Sequence, residues 1–534
     1  MICLGIEGTA HTVGVGIVDS DGNVLSDIKK IYVPDEGGIH PRESSRYMAN
    51  HFEEALFDAL EKAEITKEDV DLIAFSKGPG LGPCLGNAAV GARALSLSLD
   101  KPLVGVNHCV AHIEVGNMVA RQEFPDWAQP LTLYVSGANT QIIMFRGGRY
   151  RVFGETLDIG TGNMLDKFGR AVGLGHPAGP KIETLGKGGK NLIDLPYVIK
   201  GNDLSFSGLL TESIKKANSG EHTLEDVCYS LQETSFSMLT EATERALCHL
   251  RSDSLLLTGG VANNKRLVEM VRNMAEDNGA RFSVPKGLCG DNGAMIAWCG
   301  IVMHEAGVKH SLKDSIIDPL FRTDDVDISW ARKGNSLPAL PDGTWKGAEA
   351  SLRKEGNIIV KERLVKKYRL AEIDSKIRKQ RTAREPKMMQ RAKAAGLLVP
   401  DVYEVDKENY LFKMSFIEGC ALDEIIDEKS ELAIDVGKVV RKLHDADIMH
   451  GDLTTSNMIL NNLGEIVVID FGLSHVTKRD EDFATDLLLL KKALGANHSK
   501  NFSKLWEGVL SGYGDSSVLL RLSIAEKRGR YLGH

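Results

Sequence analysis

The chain has 534 residues, of which 43% are hydrophobic and 26% are charged. This is an ordinary globular composition, and the length exceeds what one hydrophobic core usually supports, so we expect two or three domains. No apolar run of 18 residues occurs, so we expect no membrane span, and a net charge of −8 excludes a uniformly basic surface while leaving room for a local nucleic-acid patch.

The cysteine pattern and the N-terminal residues bear on the cellular compartment. Eight cysteines are scattered along the chain without a Cys-x-x-Cys pair. The first ten residues, MICLGIEGTA, lack a basic region before their apolar residues. We therefore expect no signal peptide, free thiols and a cytoplasmic protein.

The first part of the chain alternates strands and helices in two similar cycles. In the first cycle, strands are predicted on either side of a turn at Asp21-Gly22, followed by a helix over residues 45–64, a strand that runs into a Gly/Pro-rich loop, and a helix over residues 86–99. The second cycle begins with the hairpin PLTLYVSGANTQIIMF and continues with the buried strand and loop LLLTGGVANN. Two such cycles predict a duplicated α/β domain with a cleft between its lobes, ending near Arg322.

Two histidines and one aspartate form a candidate metal site in this first module. His108 and His112 are four residues apart, which places both imidazoles on one face of a helix. Asp291, in a Gly-rich approach to a helix, is the candidate third ligand, and two nitrogens with one oxygen suit zinc or iron. A metalloprotease is disfavoured because Cys109 stands where a zincin needs glutamate, and helix geometry turns Glu114 away from the pair.

Three Gly-containing motifs lie at predicted strand ends or turns: residues 7–9, 136–140 and 259–263. Backbone N–H groups in such turns can receive phosphate or carboxylate, although each motif alone is more typical of a tight turn. Their order is that of the actin/Hsp70/hexokinase-like (ASKHA) arrangement, with two phosphate hairpins and an adenosine loop. The fold class that we predict is therefore α/β, with a two-lobed ASKHA domain followed by a small α+β kinase-like domain.

The second module carries the chemistry of a kinase. Residues 324–344 are predicted to be a linker, because acidic residues, Pro and Gly are mixed there without periodicity. Further on, IMHGDLTTSNMIL is followed by VVIDFG, which places Asp452, Asn457 and Asp470 at the spacing of a kinase catalytic loop and metal-binding triplet. Asp452 would accept or orient the proton of the nucleophile, and Asn457 and Asp470 would hold magnesium ions on the phosphates of ATP.

The remaining kinase signals are partly present. Lys361, in the strand IIVK, fits the lysine that contacts the phosphates, and Glu385 in the following helix fits its ion-pair partner. No GxGxxG precedes Lys361, and the turn there reads GAEA. Only 64 residues follow Asp470, without an Ala-Pro-Glu, so a full substrate-binding lobe is missing.

Residues 345–534 thus resemble the small atypical kinase of the KEOPS complex, a relative of the RIO kinases. The resemblance rests on GAEA, VKER, HGDLTTSN, DFG and a basic tail with Lys527, Arg528 and Arg530. It implies binding of ATP and magnesium, with slow hydrolysis or autophosphorylation. The tail is either a solvated terminus, a guide for tRNA or a segment that occupies the kinase cleft.

Residues 1–323 resemble the universal threonylcarbamoyl transferases that modify tRNA, in their archaeal and eukaryotic KEOPS form. The resemblance rests on NHCVAH, YVSGANT, DIGTGNMLDKFGR, HPAGPKIE, LTGGVANN and CGDNGAMIA. It implies a metal site of His108, His112 and Asp291, with Tyr134 as a further possible ligand. It also implies a set of residues that bind the donor, namely Tyr134, Val135, Ser136, Gly137 and Ala138 at the threonylcarbamoyl and phosphate portion, Asp166, Gly179 and Glu183 at the ribose, and Asn263 at the adenine.

The implied reaction transfers threonylcarbamoyl from its adenylate to the exocyclic amine of the adenosine beside the anticodon, in tRNAs that read codons beginning with A. No module in the sequence makes the donor, so a separate synthase is expected as a partner, together with tRNA and small KEOPS accessory subunits. We further expect the kinase domain to regulate the transfer through ATP turnover. The alternative is a serine/threonine protein kinase whose first module senses nucleotide or metal.

Overall fold

The computed structural model describes residues 1–34, 38–308, 310–332, 344–514 and 516–528. The predicted two-module α/β organisation is confirmed, because a strand-rich two-lobed unit precedes a smaller sheet and a helical lobe. No helix among these residues combines the length and the apolar character that crossing a membrane requires.

The first lobe is a mixed sheet covered by helices. Its elements are β1 (Ile2–Glu7), β2 (Thr12–Asp19), β3 (Val24–Ile31), α1 (Pro41–Lys62), β4 (Leu72–Gly78), α2 (Gly82–Leu99), β5 (Leu103–Asn107) and α3 (His108–Glu123). The predicted turn joins β2 to β3, and Gly22 adopts a positive φ of 85° there. The helix predicted over residues 86–99 begins earlier, at Gly82, because Pro83 occupies the first turn, where a missing N–H costs nothing.

The second lobe completes the first module. Its elements are β6 (Leu131–Val135), β7 (Thr140–Arg146), β8 (Arg149–Glu155), α4 (Thr161–Ala171), α5 (Gly179–Gly186), β9 (Ile199–Lys200), β10 (Asp203–Leu204), α6 (Ser207–Asn218), α7 (Leu224–Leu250), β11 (Ser254–Thr258), α8 (Lys265–Asp277), β12 (Arg281–Ser283) and α9 (Gly293–Glu305). A short 3₁₀ turn, Gly260–Asn263, separates β11 from α8.

The two lobes repeat one topology. The first sheet has the order β3-β2-β1-β4-β5 and the second the order β8-β7-β6-β11-β12, with antiparallel hairpins followed by parallel strands in both. The apolar helix α9 packs directly on β1 and β2, where a Cβ on Gly16 would lie 2.1 Å from the Ala294 nitrogen. This close approach holds the start of α9, and with it Asp291, against the first sheet.

The second module has a sheet lobe and a helical lobe. Its elements are β13 (Thr344–Lys346), β14 (Ser351–Glu355), β15 (Ile358–Glu362), α10 (Ala371–Ala394), β16 (Val402–Asp406), β17 (Leu411–Ser415), β18 (Gly419–Ala421), α11 (Leu422–Ile425), α12 (Leu432–Asp445), β19 (Ile448–Met449), β20 (Met458–Asn461), β21 (Ile466–Val468), β22 (His475–Val476), α13 (Asp480–Asn497), α14 (Phe502–Tyr513) and α15 (Ser517–Arg528). The five-stranded sheet has the order β13-β14-β15-β17-β16, and β15 is its central strand.

The described part of the predicted linker lies on the first module. Val326 and Ile328 are buried in the core around α3 and α9, and the indole N–H of Trp330 donates to Glu114 Oε1 at 2.9 Å. Residues 333–343 of the predicted linker lie outside the described residues, as do Arg530 and the side chains of Lys527 and Arg528.

Candidate metal and nucleotide sites

The structure brings the three predicted metal ligands together. Helix α3 begins at His108, where the Asn107 side chain accepts a hydrogen bond from the Val110 N–H and caps the helix. His108 Nε2 and His112 Nε2 each lie 3.4 Å from Asp291 Oδ1, and one ligand atom from each residue falls within a span of 4.8 Å. Two imidazole nitrogens and one carboxylate oxygen fit zinc or iron, with coordination positions left for a substrate.

A fourth side chain, which the sequence analysis had placed only in a turn motif, lies behind this cluster. Glu7, at the end of β1, is completely buried, and its Oε2 lies 3.1 Å from His108 Nδ1. Its Oε1 accepts hydrogen bonds from the N–H and the hydroxyl of Thr9. A carboxylate at the last position of an otherwise apolar strand was the signal that could have revealed it.

The charges around the cluster shift the protonation of its members. Burial would lower the pKa of His108, but the carboxylates of Glu7 and Asp291 outweigh burial and raise that pKa well above 6.5. Burial lowers the pKa of His112. Burial would raise the pKa of Asp291, but the two histidines, His108 foremost, hold it well below its ordinary value. The carboxylate pair thus favours a cation, and a metal at the ligand atoms would replace the proton on Nε2.

The two residues that decided against a metalloprotease lie as the helix geometry predicts. Glu114 points away from the cluster and accepts hydrogen bonds from the Tyr150 hydroxyl at 2.7 Å and from Trp330. Cys109 is buried, and the Asn139 side-chain amide lies 3.8 Å from its sulfur. The helix therefore offers the histidine pair no carboxylate base of the zincin type.

The loop after β6, predicted to receive phosphate, is held by unusually close backbone packing. A Cβ on Gly259, which has a φ of +96°, would lie 2.3 Å from the Val135 carbonyl oxygen. A Cβ on Gly160 would lie 2.3 Å from the Ala138 carbonyl oxygen. Only glycine fits at either position, so the loop of residues 135–138 is fixed between two neighbouring turns.

Two carbonyl groups of this loop also accept hydrogen bonds from a neighbouring helix. The Gly162 N–H donates to the Ser136 oxygen at 3.1 Å and the Asn163 N–H donates to the Gly137 oxygen at 2.8 Å, both from the first turn of α4. Tyr134, just before the loop, is buried with its ring centroid 5.1 Å from that of His112. Tyr134 therefore connects the loop to the candidate metal cluster.

The residues predicted at the ribose and the adenine lie in the second lobe. Asp166 accepts from the Ala178 N–H at 2.8 Å and lies 3.2 Å from His176 Nδ1, so it fixes the loop that leads into α5. Gly179 is the first residue of α5. On the same helix, Glu183 accepts from the Lys265 N–H at 3.3 Å, two residues beyond Asn263. These contacts bring α4, α5 and the 3₁₀ turn into one wall.

The five predicted kinase residues also converge. Lys361 Nζ on β15 lies 2.7 Å from Glu385 Oε1 on α10 and 2.9 Å from Asp470 Oδ1. The Asn457 amide donates to Asp452 Oδ2 at 3.0 Å. Removal from water would raise the pKa of Asp470, but the ammonium group of Lys361 outweighs it and lowers that pKa to about 2.

The first module reaches into this second site, which the sequence analysis did not anticipate. Arg245, on α7, places Nη2 2.6 Å from Asp452 Oδ2 and Nη1 against Glu349. Glu349 stands in the GAEA turn and also contacts Arg363 at 2.6 Å. The GAEA turn stands where a typical kinase has a Gly-rich phosphate loop. In this chain its Glu349 binds the first module. Both modules line the resulting cavity of about 270 Å³.

Buried ion pairs continue this contact along α7. Glu241 lies 2.7 Å from Arg381 and 3.0 Å from Arg369, and Glu244 lies 2.7 Å from Lys366. All these side chains are nearly inaccessible to water. Removing one partner of such a pair leaves a buried uncompensated charge and costs about 3–5 kcal/mol. Complementary buried charges therefore join the two modules, and removal of a single partner destabilises the contact.

These features define the class of the protein. A two-lobed α/β domain with candidate metal- and nucleotide-binding groups is joined to a compact kinase-like domain. The family of tRNA N6-adenosine threonylcarbamoyltransferases matches residues 23–298, and the RIO domain matches residues 353–489. The chain belongs to this transferase family and carries a RIO domain behind the transferase domain.

Relatives similar over their whole length combine the same two parts under one name. Proteins of Methanobrevibacter smithii and Methanocaldococcus jannaschii are 48% and 47% identical to the chain. The alignments cover 99% and 100% of this chain and the same shares of the relatives. Each relative is called a probable bifunctional tRNA threonylcarbamoyladenosine biosynthesis protein. The predicted family and fold class are confirmed.

Proposed function

We propose that this chain transfers the threonylcarbamoyl group from threonylcarbamoyl-adenylate to the exocyclic amine of the adenosine adjacent to the anticodon, in tRNAs that read codons beginning with A. The observation that carries this proposal is the proximity of the cluster of His108, His112 and Asp291 to Tyr134, which directly precedes the phosphate-type loop of residues 135–138. We place the reaction in the cytoplasm.

Different residues of the first module bind different parts of the donor. Residues 134–138 receive the threonylcarbamoyl and phosphate portion, Asp166, Gly179 and Glu183 lie at the ribose, and Asn263 lies at the adenine. An iron or zinc ion held by the three ligands would supply a Lewis acid that polarises donor oxygens. Since the adenylate is already a good leaving group, orientation in the fixed loop supplies much of the rate acceleration, and a strong general base is not required.

The RIO domain binds ATP with magnesium, for which we propose Lys361, Asn457 and Asp470 as the contacts and Asp452 as the catalytic residue. Arg245 neutralises Asp452 in this arrangement and keeps its carboxylate from a phosphoryl acceptor. We therefore propose that ATP turnover regulates the transfer, and that the contact between Arg245 and Asp452 couples the two sites. The same contact counts against the alternative of an efficient kinase for outside proteins.

The proposal implies several partners. The substrate is tRNA, the donor comes from a separate synthase, and small accessory subunits of the KEOPS type complete the assembly. The test combines the purified full chain, synthetic donor, unmodified tRNA and those subunits, followed by digestion and detection of the nucleoside by mass. His108→Ala is expected to abolish the product, whereas His222→Ala, in a loop before α7, keeps it. Wild-type protein that makes no product but phosphorylates an added protein well would overturn the proposal.

A further inference from the structure

Glu7 is a charged side chain that the proposed transfer has not yet used. It is completely buried at the end of β1, and both of its oxygens are committed. Oε2 lies 3.1 Å from His108 Nδ1, and Oε1 accepts from the Thr9 N–H at 2.8 Å and from the Thr9 hydroxyl. Burial of a carboxylate is costly unless it is hydrogen-bonded, and these contacts satisfy both oxygens.

The hydrogen bond to Nδ1 determines which nitrogen of the His108 ring is free. An ionised carboxylate can only accept, so with Glu7 ionised Nδ1 carries the proton and Nε2 is the nitrogen left to bind a metal. Nε2 is also the atom that faces Asp291, at 3.4 Å. The orientation imposed by Glu7 is thus the one that the metal cluster needs.

The two histidines differ in this respect. Within the described residues, His112 Nδ1 is buried without a hydrogen-bond partner, while its Nε2 also faces Asp291. His112 is held by packing inside α3, where it is fully buried, and His108 stands at the first turn of the helix. Glu7 therefore supplies a hydrogen bond that fixes the His108 ring, whereas the Nδ1 atom of His112 has none from the part of the chain that the structure describes.

The position of Glu7 links the His108 ring to the first turn motif. Residues 7–9 form the first of the three turn motifs, and the Gly8 N–H donates to the Ser76 hydroxyl at 2.9 Å, which anchors this turn to the neighbouring strand β4. A Cβ on Gly8 would lie 2.9 Å from the Ala88 side chain, so the turn is also packed tightly against α2. Displacement of the turn would move the carboxylate that holds the His108 ring.

We infer that Glu7 is a positioning residue of the metal centre, which fixes the Nδ1–H tautomer and the ring orientation of His108 and ties this ligand to the first turn motif. The inference rests on the proposed role of His108 as a ligand. Carboxylates behind a ligating histidine typically contribute a factor of about 10–100 to metal affinity.

The test measures Zn²⁺ affinity of the full chain by competition with a chelator of known affinity. Glu7→Gln keeps the shape of the side chain and loses its charge, and we expect about tenfold weaker binding; Glu7→Ala is expected to weaken it by up to about 100-fold. Glu114→Gln is the matched control, because Glu114 is an equally buried carboxylate that contacts no metal ligand, and its Zn²⁺ affinity should equal that of the wild type. Circular dichroism and thermal unfolding confirm that the Gln variants fold.

A second readout follows the histidine itself. In ¹⁵N spectra of the metal-free protein, at a pH where the His108 ring is neutral, His108 should carry its proton on Nδ1 in the wild type and in Glu114→Gln, with this preference lost in Glu7→Ala. Equal Zn²⁺ affinity and an unchanged tautomer in both Glu7 variants would overturn the inference. Normal affinity and tautomer in the wild type without tRNA modification would instead count against the proposed function and leave the role of Glu7 standing.

Discussion

The two candidate sites of this chain are built in different ways. The candidate site of the first module is built from its own two lobes, with the proposed metal ligands contributed by α3 and by the residues that precede α9. The kinase-type site has its own lysine, glutamate and aspartates, but its catalytic-loop carboxylate is bound by Arg245 of the other module. The first site is therefore self-sufficient in its chemistry, whereas the state of the second depends on the contact between modules.

This difference gives each site its own kind of sensitivity. A substitution of a proposed metal ligand should act only on the transfer. A substitution at the module contact changes charge balance in both modules, because Arg245 bridges Asp452 and Glu349. The following predictions test how far the two sites are independent.

The largest effect is expected from loss of a metal ligand. Asp291→Asn removes the carboxylate shared by both imidazoles, and we expect metal content to fall to background and transfer by at least about 100-fold. ATP hydrolysis by the second module should stay within about twofold of wild type. The measurements are metal content by mass spectrometry, the rate of transfer and the rate of ATP hydrolysis. An equal loss of both activities would show that the two sites are not independent.

The next effect concerns the contact between modules. Arg245→Ala frees Asp452 but leaves Glu349 with one cation fewer, so we expect autophosphorylation to rise about tenfold and stability to fall by about 3 kcal/mol. Autoradiography and urea unfolding are the measurements. Arg281→Ala is the control, since Arg281 pairs with Asp126 and Asp253 inside the first module. Autophosphorylation that stays at the wild-type level in Arg245→Ala would show that the contact does not restrain Asp452.

A smaller effect is expected from pH. Because the pKa of Asp470 is lowered from 3.8 to about 2, its ionised form stabilises the fold fully above pH 3.8, and this contribution disappears as pH falls toward 2. The difference in unfolding free energy between wild type and Asp470→Asn should therefore shrink between pH 4 and pH 2. Urea titrations along this series measure it. A difference that is constant with pH would mean that Lys361 does not stabilise the carboxylate.

The smallest effect tests where the first module ends. Trp330→Phe removes the hydrogen bond to Glu114 and should cost about 1 kcal/mol of unfolding free energy, with no change in ATP hydrolysis. Trp345→Phe, on the exposed strand β13 of the second module, is the control. A loss of ATP hydrolysis in Trp330→Phe would show that residues 324–332 serve the second module instead.

Much of the fold and the core of each site could be predicted from the sequence, because the signals are local. The spacing of His108 and His112 determines a shared helix face, and the order of the strands reveals the repeated lobes. The start of α2 was placed too late, since Pro83 was interpreted as part of a loop although it suits a first helical turn.

The features that escaped prediction depend on distant contacts. Arg245 lies 207 residues from Asp452, and nothing in the sequence around α7 distinguishes this arginine from a surface residue. Glu7 was assigned to a turn motif, because its proximity to His108, 101 residues away, arises only when the fold brings the end of β1 next to the start of α3. The roles proposed for the site residues of both modules stay predictions.

The most direct test of the account compares single-turnover and multiple-turnover tRNA modification in Asp452→Ala. If the first module carries the transfer and ATP turnover only regulates it, the single-turnover rate stays within about twofold of wild type while the multiple-turnover rate falls about tenfold or more. Equal loss of both rates would place Asp452 in the transfer itself. Unchanged multiple turnover would contradict the proposed regulation.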